Sequence, residues 1–153
     1  MSDLREIYQQ LILDHNKNPR NFRVIDTAQH VADGNNPLCG DRVTLYVDLD
    51  GDKIADIAFQ GSGCAISKAS ASLMTDALKG KTIEEADTLF QSFQKMVTDK
   101  NTEPNIQIMG KLAVFSGIRD YPTRVKCATL PWHAAHAALH NHQDPITTEG
   151  ETS

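Results

Sequence analysis

Apolar residues Leu4, Ile7, Tyr8, Leu11 and Ile12 recur at the i, i+3, i+4, i+7 spacing of one helical face, and Asp3 with Glu6 has the spacing of a capping pair. The pattern predicts an amphipathic helix that ends near Asn18-Pro19, since proline disfavours helix in the residue before it. Residues 21–27 read as connection and 28–32 as a short strand ended by Asp33-Gly34. Val43, Leu45, Val47 and Leu49 then alternate with Thr44, Tyr46 and Asp48, the period of a strand with one buried face. Leu49-Asp50-Gly51-Asp52 predicts a hairpin turn, and the return strand, 53 to about 60, places Ala55, Ile57 and Phe59 on one face.

Gly61-Ser62-Gly63 releases the chain from this sheet, and Cys64 opens a helical pattern of small residues, with Ile66, Ser70, Leu73, Ala77 and Leu78 on one face and an end at Lys79-Gly80. Thr82-Ile83-Glu84-Glu85 is a capping-box pattern ahead of Ala86, Leu89, Phe90, Phe93 and Val97. A polar break at 99–104 precedes a further helical pattern, Ile108, Met109, Leu112 and Phe115, which ends at Gly117. Residues 118–126, with Tyr121-Pro122, are expected to be irregular; the alanine-rich stretch from Cys127 to about 142 is a helix, with Pro131 in its first turn or at a kink. This order predicts an α+β fold, a small antiparallel sheet of about three strands against a layer of about five helices. One domain over 1–142 is expected, and 143–153 has too little to bury to be more than a disordered tail.

Bulk properties narrow the function classes. At 153 residues and 40% hydrophobic content the chain can bury the core of a single domain. A net charge of -5 and the lack of any Lys/Arg-rich run exclude phosphate neutralisation as a binding mode, so no nucleic-acid partner is expected. No apolar run is long enough to span a bilayer, and Met1-Ser2-Asp3-Leu4-Arg5-Glu6 lacks the basic-then-apolar order of a secretion signal; the expectation is a cytoplasmic protein without a membrane partner. Three widely spaced cysteines are an odd number and a poor disulfide framework, which leaves reduced thiols to bind metal or to react.

Candidate chemistry centres on Asn35-Asn36-Pro37-Leu38-Cys39-Gly40-Asp41, a loop of turn formers that sets a thiol two residues from a carboxylate. Cys64 and Cys127 each stand where a strand or loop feeds a helix. The separations of the three cysteines are unlike the tight C-x2-C pairs of zinc ribbons, so two readings stay open: three buried small hydrophobes, or one metal site made with Asp41. If the four side chains meet, three thiolates and a carboxylate suit zinc, and thiolates also suit an iron-sulfur cluster. A helix N-terminus would favour the thiolate of Cys64 and of Cys127, and Arg124 and Lys126 add positive charge near Cys127. Cys39, on a loop that can move, is the better nucleophile. Asp41 is a hard fourth ligand or a turn cap. His133, His136 and His140 share one face of the last helix at a spacing that can bind metal, although a solvated face is the favoured reading. Gly80-Lys81-Thr82 is not a phosphate-binding loop, because the opening glycine is replaced by Thr75.

The motifs Asn36-Pro37-Leu38-Cys39-Gly40-Asp41, Gly61-Ser62-Gly63-Cys64-Ala65-Ile66-Ser67 and Arg124-Val125-Lys126-Cys127-Ala128-Thr129-Leu130, with the Leu-Arg-Glu-Ile-Tyr-Gln-Gln-Leu-Ile-Leu-Asp-His start, resemble the iron-sulfur assembly proteins of the NifU N-terminal, IscU and SufU type. Within that family the chain looks like the SufU branch, because Lys126 stands where the IscU branch has histidine and the segment 82–105 looks like an insertion. The resemblance implies a SufU/IscU-like fold and zinc held by Cys39, Asp41, Cys64 and Cys127. It also implies persulfide sulfur received on Cys39 from a pyridoxal-phosphate cysteine desulfurase (SufS-like) and passed to downstream iron-sulfur assembly proteins, with Arg124 as stabiliser of the departing Cys39 thiolate. The alternatives it leaves are a [2Fe-2S] scaffold on the same ligands and a structural zinc module.

Overall fold

Alternating apolar positions fold as a meander of three antiparallel strands. A computed structural model describes residues 2–37, 40–99, 106–140 and 146–147. Strand β1 (His30–Asn36) pairs with β2 (Asp41–Asp50) from His30 opposite Val47 to Asn36 opposite Asp41, and β2 pairs with β3 (Lys53–Ser62). Ala32, Val43, Leu45, Val47, Ile57 and Phe59 are buried on the inner face.

Two details depart from the expected pattern. β1 runs through Asp33-Gly34 instead of ending there: Gly34 falls on the buried side, while Asp33 faces out and accepts a 2.7 Å hydrogen bond from the Thr44 hydroxyl. In β3 a register shift opposite Asp48 and Leu49 turns Ile54 inward and leaves Ala55 exposed. A bulge of this kind reverses the side-chain phase on one side of it, which strict alternation does not reveal.

Both sheet edges are covered in part. Along β3, the Arg23 N–H donates to the Phe59 carbonyl at 3.1 Å and the Phe59 N–H to the Asn21 carbonyl at 3.0 Å, with the Phe22 ring edge-on to Phe59 at 5.2 Å. Beside β1, a short strand β4 (Ile146–Thr147) pairs in parallel at Gly34 and Asn35, giving the order β3-β2-β1-β4. Within 143–153, expected as a tail, these two residues thus join the sheet; the others lie outside the described residues.

Helices α1 (Ser2–Lys17), α2 (Ala65–Leu78), α3 (Ile83–Thr98), α4 (Ile106–Met109) and α5 (Pro122–Leu139) complete the α+β fold. α5 packs on β1 and β2, and α2 on β3 and α5. α1 sits on α2, where the buried His15 ring meets the Ser72 hydroxyl at 2.6 Å. The Thr82 capping box forms as its sequence predicts and starts α3, inside the segment expected as an insertion. From α3, Phe93 stacks on Trp132 of α5 at 4.5 Å and meets Phe115 edge-on at 5.8 Å.

The apolar run after α4 is a 3₁₀ helix (Gly110–Ile118) and not a continued α-helix. Met109, Leu112, Phe115 and Ile118 are buried while Ile108 is exposed, and a spacing of three is what a 3₁₀ turn aligns on one side. α5 differs more. It begins at Pro122, whose missing N–H is harmless at the first helical position, so the expected irregular stretch is already helical at 122–126. Pro131 therefore lies inside the helix and offers no N–H to the carbonyl of Cys127. The Ser70 hydroxyl donates to the next carbonyl, Ala128, at 2.6 Å and accepts from the Trp132 indole at 3.2 Å, tying α2 to α5 at the kink-prone turn. No helix among the described residues is long and apolar enough to cross a membrane.

Candidate metal centre

Three of the four residues singled out in the sequence come together from separate elements. Asp41 opens β2 opposite Asn36, Cys64 is the N-cap residue of α2, and Cys127 lies in the second turn of α5. One carboxylate oxygen and the two Sγ atoms all lie within 4.8 Å of one another. Asp41 is 0% exposed and Cys127 1%, whereas Cys64 is half-buried, so the cluster is reached from the Cys64 side. Cys39 lies outside the described residues.

The Asp41 carboxylate holds the cluster together. Its Oδ1 accepts the Cys64 backbone N–H at 2.7 Å, a charge-assisted bond, and its Oδ2 is 3.8 Å from the Cys64 Sγ. This approach needs glycine at 63. Gly63 has φ +140°, and a Cβ there would stand 2.8 Å from the Asp41 Cα and overlap the carboxylate. Asp41 thus braces the chain ahead of α2 through Oδ1 and turns Oδ2 toward the two thiols; its bond reaches across 23 residues and is not the local turn cap considered for it.

The thiols are supported differently. At Cys64 the Ser67 N–H points to Sγ at 3.5 Å, as the helix-start argument requires. The same argument fails for Cys127, because α5 starts five residues earlier and the first-turn N–H groups lie away from it. Asn36 takes their place. Its Nδ2 donates to the Cys127 Sγ at 3.5 Å and to the Asp41 Oδ2 at 3.5 Å, and Asn36 is 0% exposed. The sequence alone gives Asn36 no separate role, since the expected strand ends at Asp33-Gly34; its one signal is an amide in the loop that holds Cys39.

Two sulfurs and a carboxylate oxygen at these separations fit a tetrahedral ion of the zinc class, whose bond lengths imply ligand-to-ligand distances of about 3.5–3.8 Å. The residues present would contract by at most about 1.3 Å to meet it. Beside the cluster, a groove of ≈ 970 Å³ is lined by Ile12 and Leu13 of α1, Cys64 and Ile66 at α2, Tyr121 at the N-cap of α5, and Arg124 and Cys127 of α5, among others. The exposed Arg124 guanidinium lies over the Tyr121 ring at 5.2 Å, at this groove. Lys126 is half-buried one residue from Cys127. His136 and His140 lie nine or more residues, about 14 Å, further along α5 and belong to another cluster.

Comparisons with known proteins agree on the family and divide between sulfurtransferase and scaffold. The family model described as "NifU-like N terminal domain" matches residues 7–143. The zinc-dependent sulfurtransferase SufU of Bacillus subtilis (strain 168) is 46% identical over 133 residues, covering 87% of this chain and 89% of its own. The iron-sulfur cluster assembly scaffold protein IscU of Streptococcus pyogenes serotype M1 is 42% identical over 139 residues, 91% of this chain and 86% of its own. Among solved structures, the candidate iron-sulfur cluster assembly scaffold for the SUF system from Fervidobacterium islandicum AW-1 superposes with a TM-score of 0.80 at 40% identity, over 88% of this chain and 97% of that one.

Proposed function

This chain belongs to the NifU-like N-terminal domain family of iron-sulfur cluster assembly proteins, and from that premise we propose that it is a zinc-dependent sulfurtransferase of the cytoplasm. The observation that carries the reading is the meeting of the Asp41 carboxylate with the Cys64 and Cys127 thiols, a donor set suited to zinc, in a chain that resembles a zinc-dependent sulfurtransferase. Cys39 is the fourth ligand and the sulfur acceptor. Zinc, when bound, keeps the thiols deprotonated near neutral pH and brings no redox chemistry of its own.

The chemistry on the chain's own residues is thiol exchange. The Cys39 thiolate attacks the outer sulfur of a cysteine persulfide on a pyridoxal-phosphate cysteine desulfurase. A new sulfur-sulfur bond forms on Cys39, the old one breaks, and the desulfurase cysteine leaves as thiolate; the proton travels with the transferred sulfur and no net oxidation occurs. A thiolate of a downstream assembly protein takes the sulfur by the same exchange. The groove beside Cys64 gives the donor cysteine its approach, and Arg124 at that groove stabilises the Cys39 thiolate when it is free. Asp41, Cys64 and Cys127, seated on a strand, at a helix N-cap and on a helix, keep their places while Cys39 takes the sulfur.

A [2Fe-2S] scaffold on the same ligands is the second reading, favoured by the resemblance to the streptococcal IscU. Lys126 weighs against it, since a protonated lysine has no lone pair to offer where a histidine ligand would stand. Metal analysis and the absorption spectrum of the isolated protein, followed by incubation with a desulfurase and free cysteine, separate the readings. Transfer predicts a colourless protein with one zinc, a persulfide adduct on the wild type and no adduct on Cys39→Ala. An iron- and sulfide-containing brown protein, or an undiminished adduct on Cys39→Ala, would overturn it.

A further inference from the structure

A second group of metal-ligating side chains stands on the α3–α5 surface: Asp87 from α3 with His136 and His140 from the last turns of α5. The His140 Nε2 is 2.9 Å from Asp87 Oδ2 and 3.0 Å from Oδ1, and the His136 Nε2 is 3.7 Å from Oδ1. Both rings thus present the same nitrogen to one carboxylate. The two imidazoles are four residues apart, one helical turn, with ring centres 4.4 Å apart. We propose that Asp87, His136 and His140 form a second metal site, for a divalent transition ion of the zinc class, chemically distinct from the cysteine cluster.

The distances fit such an ion. Bond lengths of about 2.0–2.2 Å to imidazole nitrogen and carboxylate oxygen place neighbouring ligand atoms about 3.0 Å apart in octahedral and about 3.4 Å apart in tetrahedral coordination. The separations from Asp87, 2.9 and 3.7 Å, bracket those values, so small side-chain rotations complete the set. Two imidazoles and a carboxylate are a zinc-type donor set that leaves coordination positions to water.

The surroundings hold the ligands in place. The His136 ring stacks on Phe90 of α3 at 5.2 Å, which limits its rotamers and leaves Nε2 turned to Asp87. His133 meets the same Phe90 edge-on at 5.3 Å, is half-buried, and has no place in the set. A cation here sits at the C-terminal end of α5, where the last carbonyls favour positive charge. Side-chain exposures of 29% for Asp87, 45% for His136 and 42% for His140 leave the site open to a hydrated ion. A plain His140–Asp87 ion pair would be worth little at such exposure and gives no reason for His136 to direct its nitrogen to the same carboxylate. An ion shared by the three groups accounts for all of them and joins α3 to α5.

The test uses the full chain with one equivalent of zinc already bound, titrated with Co²⁺ by calorimetry and absorption. A second equivalent is expected, with ligand-field bands but no added thiolate charge-transfer band, since only nitrogen and oxygen bind it. His136→Gln/His140→Gln should weaken that equivalent at least about tenfold, the scale seen even for outer-shell partners of metal ligands. Asp87→Asn, nearly isosteric and on the other helix, should do the same and guards against misfolding of the double variant. In both variants the first zinc equivalent and persulfide uptake stay unchanged. Absence of a second equivalent in the wild type would overturn the proposal. So would a second equivalent of unchanged affinity in both variants, or new thiolate bands, which would put the ion on the cysteines.

Discussion

Gly63→Ala is the sharpest probe of how the cysteine cluster is built. At φ +140° an L side chain is strained, which costs about 1–3 kcal/mol. The new Cβ would also stand 2.8 Å from the Asp41 Cα, a backbone contact that no rotamer change relieves. Moving either strand end breaks the 2.7 Å bond from the Cys64 N–H to the Asp41 carboxylate, and a hydrogen bond to a charged group contributes about 1.5–3 kcal/mol. Together the loss should be about 3–5 kcal/mol, a large part of the stability of an ordinary domain. Gly80→Ala is the control, because Gly80 also has positive φ, +88°, but open space around its missing Cβ, so only about 1–2 kcal/mol is at stake. Urea unfolding of the metal-free proteins reads the difference: with a slope of about 2 kcal/mol/M, Gly63→Ala should lower the midpoint by about 2 M and Gly80→Ala by under about 1 M. Zinc competition against a chelator should show weakened binding for Gly63→Ala alone. Equal midpoints and equal zinc affinity in the two variants would refute the idea that Gly63 exists to let Asp41 reach Cys64.

Other outcomes follow from the same geometry. Asn36→Ala removes the amide that supports the Cys127 sulfur and should lower zinc affinity about 10–100-fold, measured by chelator competition; unchanged affinity would show that the amide does not support the site. His15 is 1% exposed, and its pKa is held below the ordinary value chiefly by burial, with Arg20 and Lys111 lowering it further and Asp14 and Asp76 opposing them. Its contribution is therefore fully present above the unfolded pKa near 6.5 and is lost as pH falls toward the depressed folded value. His15→Gln should flatten the decline in melting temperature between pH 7 and pH 5; an unchanged slope would show that His15 binds its proton alike in the folded and unfolded chain.

Much of the fold was legible because local patterns and tertiary packing agree. Val43, Leu45 and Val47 alternate and are buried, and the Thr82–Glu85 box starts a helix where its spacing says it must. Misreadings arose where a local signal admits two outcomes. The pattern puts Ile108, Met109, Leu112 and Phe115 on one helical face, but it is Met109, Leu112, Phe115 and Ile118 that are buried along a 3₁₀ helix, since a spacing of three suits either period until neighbours decide. Tyr121-Pro122 predicts an irregular stretch over 118–126, yet proline at the first position starts α5.

What the sequence determined by itself was the chemistry available: reduced thiols, a carboxylate beside one of them, motifs of an iron-sulfur assembly family and a sheet with one apolar face. Only the tertiary structure decided which atoms meet. It brought Asp41, Cys64 and Cys127 within 4.8 Å, moved Cys127 from a helix start into a second turn, and supplied Asn36 in place of the helix-end N–H groups. It also set Asp87 against His136 and His140, which are 49 and 53 residues away along the chain. Spacing along a chain constrains contacts within one element, where geometry is periodic. Contacts between elements depend on how two surfaces pack, and no local period records that.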